Sequence, residues 1–155
     1  MSASANFASQ FTDTLRWSDA TQFHIDGFLR RYTLHDSNWL GIHVDCGWED
    51  SVIAAIQFDP VWNSSVCAPT STVADWPLLF MRFACVSSIE LSGFSDIGGL
   101  QRGISSVAVE EISEEEVVTA ISDHYGAAVS LRHFPLVDVI VTSPEGTLIR
   151  VPNET

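Results

Sequence analysis

The stretch that decides the fold covers residues 104–126 and reads ISSVAVEEISEEEVVTAISDHYG. Its first part, residues 104–112, places apolar side chains near alternate positions before charges follow, which predicts a strand. The next four residues, 113–116, read Ser-Glu-Glu-Glu. This is the pattern of a capping box, with Ser113 as the N-cap and Glu116 at the third helical position. The strand is therefore expected to give way to a helix.

The expected helix has an apolar face and an end signal of its own. Val117, Val118, Ile121 and Tyr125 follow the helical period, and Gly126 is a natural C-cap. Three carboxylates in the first turn would also be favoured by the helix dipole. The pattern therefore predicts a helix between the strand 104–112 and the next apolar run.

Outward from this stretch, short apolar runs alternate with turn signals and predict strands. We predict strands at Trp39–Asp45, Ser51–Phe58, Leu78–Leu91 (with a bend at Ser87-Ser88), Ala128–Phe134, Leu136–Thr142 and Thr147–Val151. Apolar residues four apart predict a short helix over 4–15, and Ser18 as N-cap predicts a second helix over 19–31. The sum predicts an α+β fold, a mostly antiparallel β-sheet with two or three helices on one face.

Length and composition suggest an ordinary globular protein. A chain of 155 residues with 46% hydrophobic residues has the size of one domain, residues 1–155. No apolar run approaches the roughly 18 residues that a membrane span requires. The start, MSASANFASQFTDTLRW, lacks the basic and apolar regions of a secretory signal. We therefore expect a single domain in the cytoplasm.

The charge balance is unusual. Twenty acidic residues face seven basic ones, all of them arginine, and the formal net charge is −13. The absence of lysine fits either a codon bias or a surface kept free of positive charge. In both cases the negative field argues against nucleic acids and anionic membranes as partners.

A run of acids and two tryptophans are the candidate binding residues. They are Glu110, Glu111, Glu114, Glu115, Glu116, Trp48 and Trp62. The acids fit either a solvated surface or a docking surface for a basic partner, and their spacing is not that of a calcium-binding loop. The tryptophans fit either interface anchors or ordinary packing under loops.

The densest polar cluster, residues 34–39, reads Leu-His-Asp-Ser-Asn-Trp. His35, Asp36 and Ser37 are the residue types of a hydrolytic triad, but a triad is assembled across space and not from neighbours. Asp36 and Ser37 are better explained by bonds to backbone amides at a turn. We predict no catalytic residues here.

Other ligand patterns are weak. His43 and Asp45 would share one face of a strand, but zinc sites usually show tighter ligand pairs. The glycines of residues 98–103 match neither a P-loop nor a dinucleotide fingerprint. The sequence therefore predicts no metal and no cofactor.

Two short motifs carry a family resemblance. Leu34-His35-Asp36-Ser37-x-Trp39 is followed by a strand, a hairpin and Ile56-Gln57-Phe58-Asp59-x-x-Trp62. This arrangement, over about residues 32–62, resembles small bacterial immunity proteins of polymorphic toxin systems and their uncharacterised relatives. The resemblance implies a non-enzymatic protein that binds a cognate toxin and blocks it, and it assigns no catalytic residues.

The acidic charge agrees with that implication, because the sites of nucleases are basic and opposite potentials speed association. We therefore expect a non-enzymatic binding protein, an immunity-type protein that neutralises a basic, nuclease-type toxin domain through an acidic surface. Two alternatives stay open. One is a small enzyme whose site is scattered in sequence, and the other is a structural or homo-oligomeric module, for instance of phage origin.

Overall fold

The computed structural model describes residues 15–45, 50–93 and 102–153. Within these ranges the chain forms ten β-strands, one α-helix and two single 3₁₀ turns. The strands are β1 (Thr21–His24), β2 (Asn38–Asp45), β3 (Ser51–Gln57), β4 (Leu78–Phe83), β5 (Ser88–Ser92), β6 (Arg102–Ser113), β7 (Glu116–Asp123), β8 (Ala128–His133), β9 (Leu136–Thr142) and β10 (Leu148–Ile149). The helix α1 is Ile25–Arg31, and the 3₁₀ turns are Trp17–Asp19 and Val73–Asp75.

All strands belong to one antiparallel sheet in the order β1-β9-β4-β3-β2-β6-β7-β8-β5, and β10 also pairs with β9. The α+β prediction, with two or three helices on one face, is therefore wrong. The fold is mostly β, and the described residues contain a single seven-residue helix. The predicted strands are confirmed, with shifted ends.

The two N-terminal helix predictions fare differently. The helix over 4–15 lies outside the described residues except for Leu15. The helix over 19–31 shrinks to Ile25–Arg31, because residues 21–24 pair with β9 as a strand. His24 replaces Ser18 as the N-cap, and its Nδ1 accepts a hydrogen bond from the backbone N–H of Asp26 at 3.3 Å.

The largest correction concerns the capping box, which is the tip of a β-hairpin. Ser113 pairs with Glu116 across the β6–β7 ladder, and Glu114 and Glu115 form the two-residue connection. The Ser113 hydroxyl accepts the backbone N–H of Glu115 at 3.2 Å. The Ser113 hydroxyl therefore accepts the amide of Glu115 and not that of Glu116, the partner in a capping box. This bond closes the hairpin turn and does not begin a helix.

The residues after the tip form a strand because their burial has a period of two. Val117, Thr119, Ile121 and Asp123 are buried and alternate with less buried neighbours. β-Branched residues favour such a pleated, half-buried surface, and β6 and β8 pair with β7 on its two sides. The predicted helical face fails because it requires Tyr125 inside, whereas Tyr125 is exposed.

A bent two-stranded ribbon connects the two halves of the sheet. It consists of residues 78–92, which include β4 and β5, and residues 128–142, which include β8 and β9. One register holds from Leu78↔Thr142 to Ser92↔Ala128. The ribbon bends between β4 and β5, where Cys85 adopts a φ of 53°. The predicted strand over Leu78–Leu91, with its bend, is this half of the ribbon.

The bend divides the sheet into two half-sheets. The first holds β1, β9, β4, β3, β2 and β10, and the second holds β6, β7, β8 and β5. Besides the ribbon, the pairs Asn38↔Gly103 and Trp39↔Arg102 join the half-sheets through β2 and β6. We call this second connection the junction.

The main core contains side chains of both half-sheets. Leu79 and Val139 come from the first, Ile121 and Leu131 come from the second, and Phe28 of α1 adds to the same cluster. Each fully buried side chain of this size contributes about 1.5–3 kcal/mol relative to its exposed state. Burial of this shared cluster therefore favours the contact between the half-sheets.

The opposite face of the first half-sheet is also covered. Ile53, Phe80 and Ile140 form a second cluster, against which Leu15 and Trp17 pack. Strand β3 is consequently buried on both faces, which explains its nearly continuous apolar sequence.

A buried polar pair connects β7 and β8 inside the main core. The Nδ1 atom of His133 lies 2.7 Å from the carbonyl oxygen of Phe134, and its Nε2 lies 2.7 Å from the hydroxyl of Thr119. A carbonyl only accepts, so Nδ1 carries the proton and the Thr119 hydroxyl donates to Nε2. Burial lowers the pKa of His133 below its ordinary value of 6.5.

Two near-isosteric changes at neighbouring positions test the strand assignment of β7. We expect Thr119→Val to lower the free energy of unfolding by about 1–3 kcal/mol, because the buried Nε2 of His133 loses its donor. We expect Val118→Thr to change it by less than about 0.5 kcal/mol, because that side chain lies on the outer face. Urea unfolding measures both. The reverse ranking would indicate the helix that the sequence predicted.

His133 also makes stability depend on pH. Since its pKa is lower in the folded state, the unfolded chain takes up the proton first, and stability falls as the pH drops below about 6.5. We expect wild type to lose more stability than His133→Gln between about pH 7.5 and pH 5.5, by up to 1.4 kcal/mol per pH unit. Urea titrations at both pH values measure this. Equal losses in wild type and in His133→Gln would contradict the prediction.

Candidate functional site

The turn that precedes β2 brings a polar segment to the junction. Ile104 bonds this segment twice, accepting the backbone N–H of Asp36 at 2.8 Å and donating to the carbonyl of Ser37 at 2.7 Å. Asp36 adopts a φ of 63°, a left-handed conformation that Asp tolerates better than most residues. The turn thereby places the side chains of His35 and Asp36 at the surface beside β6.

The two motifs of the family resemblance meet at this turn. The buried hydroxyl of Ser37 accepts the backbone N–H of Asp59 at 2.9 Å. The buried side chain of Asn63 bonds both the N–H and the carbonyl of Thr33, at 2.9 and 2.8 Å. Segments that are more than 20 residues apart in sequence therefore form one hydrogen-bonded unit.

Above this unit lies a group of four side chains that we call the Asp36 cluster: His35, Asp36, Trp62 and His124. The indole N–H of Trp62 donates to Oδ2 of Asp36 at 3.2 Å. Nε2 of His35 lies 3.3 Å from the same oxygen, and Nε2 of His124 lies 3.2 Å from Oδ1. One carboxylate therefore holds three ring side chains that come from three parts of the chain.

The cluster is open to solvent. The side chains of His35, Asp36 and His124 are 45%, 43% and 44% exposed, and Trp62 is 55% exposed. The rings of His35 and Trp62 stand edge to face, with centroids 5.5 Å apart. Because the indole N–H is already bonded to Asp36, the exposed part of Trp62 is mainly apolar ring.

His35 faces an acceptor on each side of its ring. Its Nδ1 lies 3.1 Å from the carbonyl oxygen of Ser105, while its Nε2 faces the carboxylate of Asp36. Either neutral tautomer therefore points one lone pair at an oxygen, and only the imidazolium form donates to both acceptors. The cluster has room for one more positive charge or proton donor.

A buried carboxyl group lies beneath the cluster. Asp59 is 4% exposed, and its Oδ1 accepts the backbone N–H of Val61 at 2.8 Å. Burial raises the pKa of Asp59 above its ordinary value, and the negative charge of Asp36 acts in the same direction. The Val61 amide and His35 oppose these effects.

The geometry gives Ser37 a structural role. Its hydroxyl is fully buried and bonded to an amide, so it is not presented to a substrate. Among the described residues, no group of three or more His, Cys, Asp or Glu side chains is arranged to hold a metal ion. His43 and Asp45 lie on β2, as expected.

The predicted acidic residues lie on the β6–β7 hairpin, which we call the acidic hairpin. Glu110, Glu111, Glu114 and Glu115 are exposed. Glu116 is partly exposed, and its carboxylate lies 3.5 Å from Arg132. Glu110 and Glu111 lie on the predicted strand, whereas Glu114, Glu115 and Glu116 lie in the hairpin turn and on β7 instead of in the first turn of a helix.

The predicted tryptophans have different outcomes. Trp62 is an exposed member of the Asp36 cluster, whereas Trp48 lies outside the described residues. Sequence reasoning missed His124, which falls two residues before Gly126, the expected C-cap of the helix. The β7–β8 turn instead carries His124 to Asp36, and a backbone bond from its N–H to the Gly103 carbonyl, 3.0 Å long, fixes it there.

Comparison of the chain with protein-family models, with curated proteins and with solved structures finds no match. In the described part of the chain, every helix is too short or too polar to cross a lipid bilayer.

Replacing Ser37 tests whether the hydrogen-bonded unit supports the fold. Ser37→Ala leaves the buried N–H of Asp59 without its acceptor, so we expect the free energy of unfolding to fall by about 1–3 kcal/mol. Ser106→Ala removes an exposed serine hydroxyl from β6 and should change it by less than about 0.5 kcal/mol. Thermal and urea unfolding measure both variants. A neutral Ser37→Ala would contradict the structural role.

Proposed function

We propose that this chain is a non-enzymatic binding protein of the immunity type, which neutralises a basic, nuclease-type toxin domain. The observation that carries the proposal is the acidic hairpin, where four exposed glutamates lie on one β-hairpin of a chain with a net charge of −13. Such a surface attracts a basic partner and repels polyanions.

The positions of two arginines add to this support. Arg82 bonds Asp138 with its Nη2 at 2.8 Å and is only 13% exposed, so little of its charge reaches the surface. Arg132 is exposed, but its guanidinium lies close to Glu116. These pairings leave the negative potential around the hairpin tip weakly opposed.

Trp62 supplies the second element that a tight interface needs. Large aromatic side chains that become buried on binding often dominate the free energy of association. Trp62 is half-exposed and held in orientation by Asp36, so little conformational entropy is lost when a partner covers it. The motifs of the family resemblance are the residues that orient it.

Association kinetics test the proposal. The analyte is the product of the gene adjacent to this one, and surface-plasmon measurements follow binding at about 0.05 M and about 0.5 M salt. We expect the on-rate of wild type to fall at least about tenfold as salt rises. Reversing Glu114 and Glu115 to Arg should lower the on-rate at low salt, because it weakens long-range attraction.

Two further variants distinguish long-range electrostatic attraction, which acts on the on-rate, from burial of Trp62, which acts on the off-rate. Trp62→Ala should mainly raise the off-rate, because a buried anchor acts on dissociation. Glu145→Arg, on the turn after β9, makes a similar charge change away from the hairpin and should have a smaller effect on the on-rate. Tight binding that is indifferent to salt and to Glu114 and Glu115 would contradict the electrostatic mechanism. Absence of binding would contradict the proposed partner.

A further inference from the structure

In the Asp36 cluster, the neutral His35 ring faces two hydrogen-bond acceptors, the Ser105 carbonyl and the Asp36 carboxylate, but can donate to only one of them. When His35 is neutral with its proton on Nδ1, it donates to the Ser105 carbonyl, and its Nε2 lone pair faces Oδ2 of Asp36 at 3.3 Å. In the opposite tautomer, the proton is on Nε2 and the Nδ1 lone pair faces the carbonyl oxygen of Ser105. An external donor group that approaches the ring and the carboxylate from the solvent side removes the conflict between Nε2 and Asp36, because it can donate to both.

We propose that the Asp36 cluster is a binding site for the guanidinium group of a partner's arginine side chain. One guanidinium N–H donates to the Asp36 carboxylate and another donates to Nε2 of His35. The exposed ring of Trp62 lies against the cation and contributes a cation–π contact. The site thus combines one negative charge, one neutral acceptor and one aromatic ring.

A guanidinium suits this arrangement better than the other cations. Its planar fork presents several N–H groups in fixed directions and stacks on aromatic rings, whereas an ammonium is a compact and more strongly hydrated point charge. A metal ion is disfavoured because, among the described residues, no group of three His, Cys, Asp or Glu side chains is arranged to hold one. The acceptors also lie near half exposure, within reach of a long side chain of a partner.

This inference deepens the proposed function and rests on it only for the statement that the guanidinium belongs to a protein. The probe is N-acetyl-arginine methylamide, added at constant ionic strength. The indole N–H resonance of Trp62 in ¹H–¹⁵N NMR spectra, assigned by its loss in Trp62→Phe, reports binding directly at Asp36. No protein partner is needed.

We expect a saturable shift of this resonance in wild type as the arginine compound is added. Asp36→Asn should weaken binding at least about tenfold, because it removes a charge-assisted hydrogen bond. Asparagine also tolerates the left-handed φ at this position, so the fold should persist. Asp75→Asn removes one exposed carboxylate from the 3₁₀ turn 73–75 and should bind like wild type.

Two matched ligands sharpen the test. N-acetyl-citrulline methylamide keeps the shape but lacks the charge, and N-acetyl-lysine methylamide keeps the charge but lacks the fork. We expect both to bind more weakly than the arginine compound. No saturable shift in wild type, equal binding by Asp36→Asn, or equal binding by either ligand would overturn the guanidinium site.

Different results contradict the proposed function and the guanidinium site. A guanidinium that binds the cluster, together with a toxin domain whose association ignores salt, contradicts the proposed function and supports the site. Salt-dependent association without any guanidinium effect at Trp62 supports the proposed function and overturns the site.

Discussion

The rest of the structure depends on the continuous pairing of residues 78–92 with residues 128–142. Because one register continues through the bend, the same two chain segments belong to both half-sheets. The apolar side chains of the half-sheets can then share a single core. The junction between β2 and β6 makes the second connection, and it is there that the polar turn around Asp36 reaches the surface. The candidate site is thus a product of how the half-sheets meet.

The positions of most strands could be predicted from the sequence, because short apolar runs bounded by turn residues mark strands. Trp39–Asp45 and Leu136–Thr142 are examples, and Ser87-Ser88 predicted a bend close to the one at Cys85. The stretch after Ser113 could not be assigned in this way. A capping box and the run of valine and isoleucine fit either a helix or a strand, and pairing with β6 and β8 decided the outcome. The local capping-box pattern was therefore outweighed by strand pairing with distant parts of the chain.

The same limit applies to the site. The family resemblance quoted residues 34–39 and 56–62 without predicting a contact between them, and in the structure the Ser37 hydroxyl accepts the backbone N–H of Asp59. His124 could not be placed, since its position follows from the hairpin register of β7 that the sequence left ambiguous. The charge of Asp36 therefore had no visible partners beyond its neighbour His35. Glu110 and Glu111 lie on a strand, as the sequence predicted. Glu114, Glu115 and Glu116 were predicted in the first turn of a helix, whereas they lie in a hairpin turn and at the start of β7.

The bent ribbon has a consequence for the order in which the protein folds. Its two strands are far apart along the chain, so a long loop must close before they pair, whereas the acidic hairpin needs only local contacts. We expect the hairpin to form early and the ribbon late. The surface at Asp36 brings together β6, the β7–β8 turn and the loop around Trp62, which are themselves far from Asp36 along the chain, so it is also completed late. A nascent chain would therefore carry its acidic charge before it could engage a partner at Asp36.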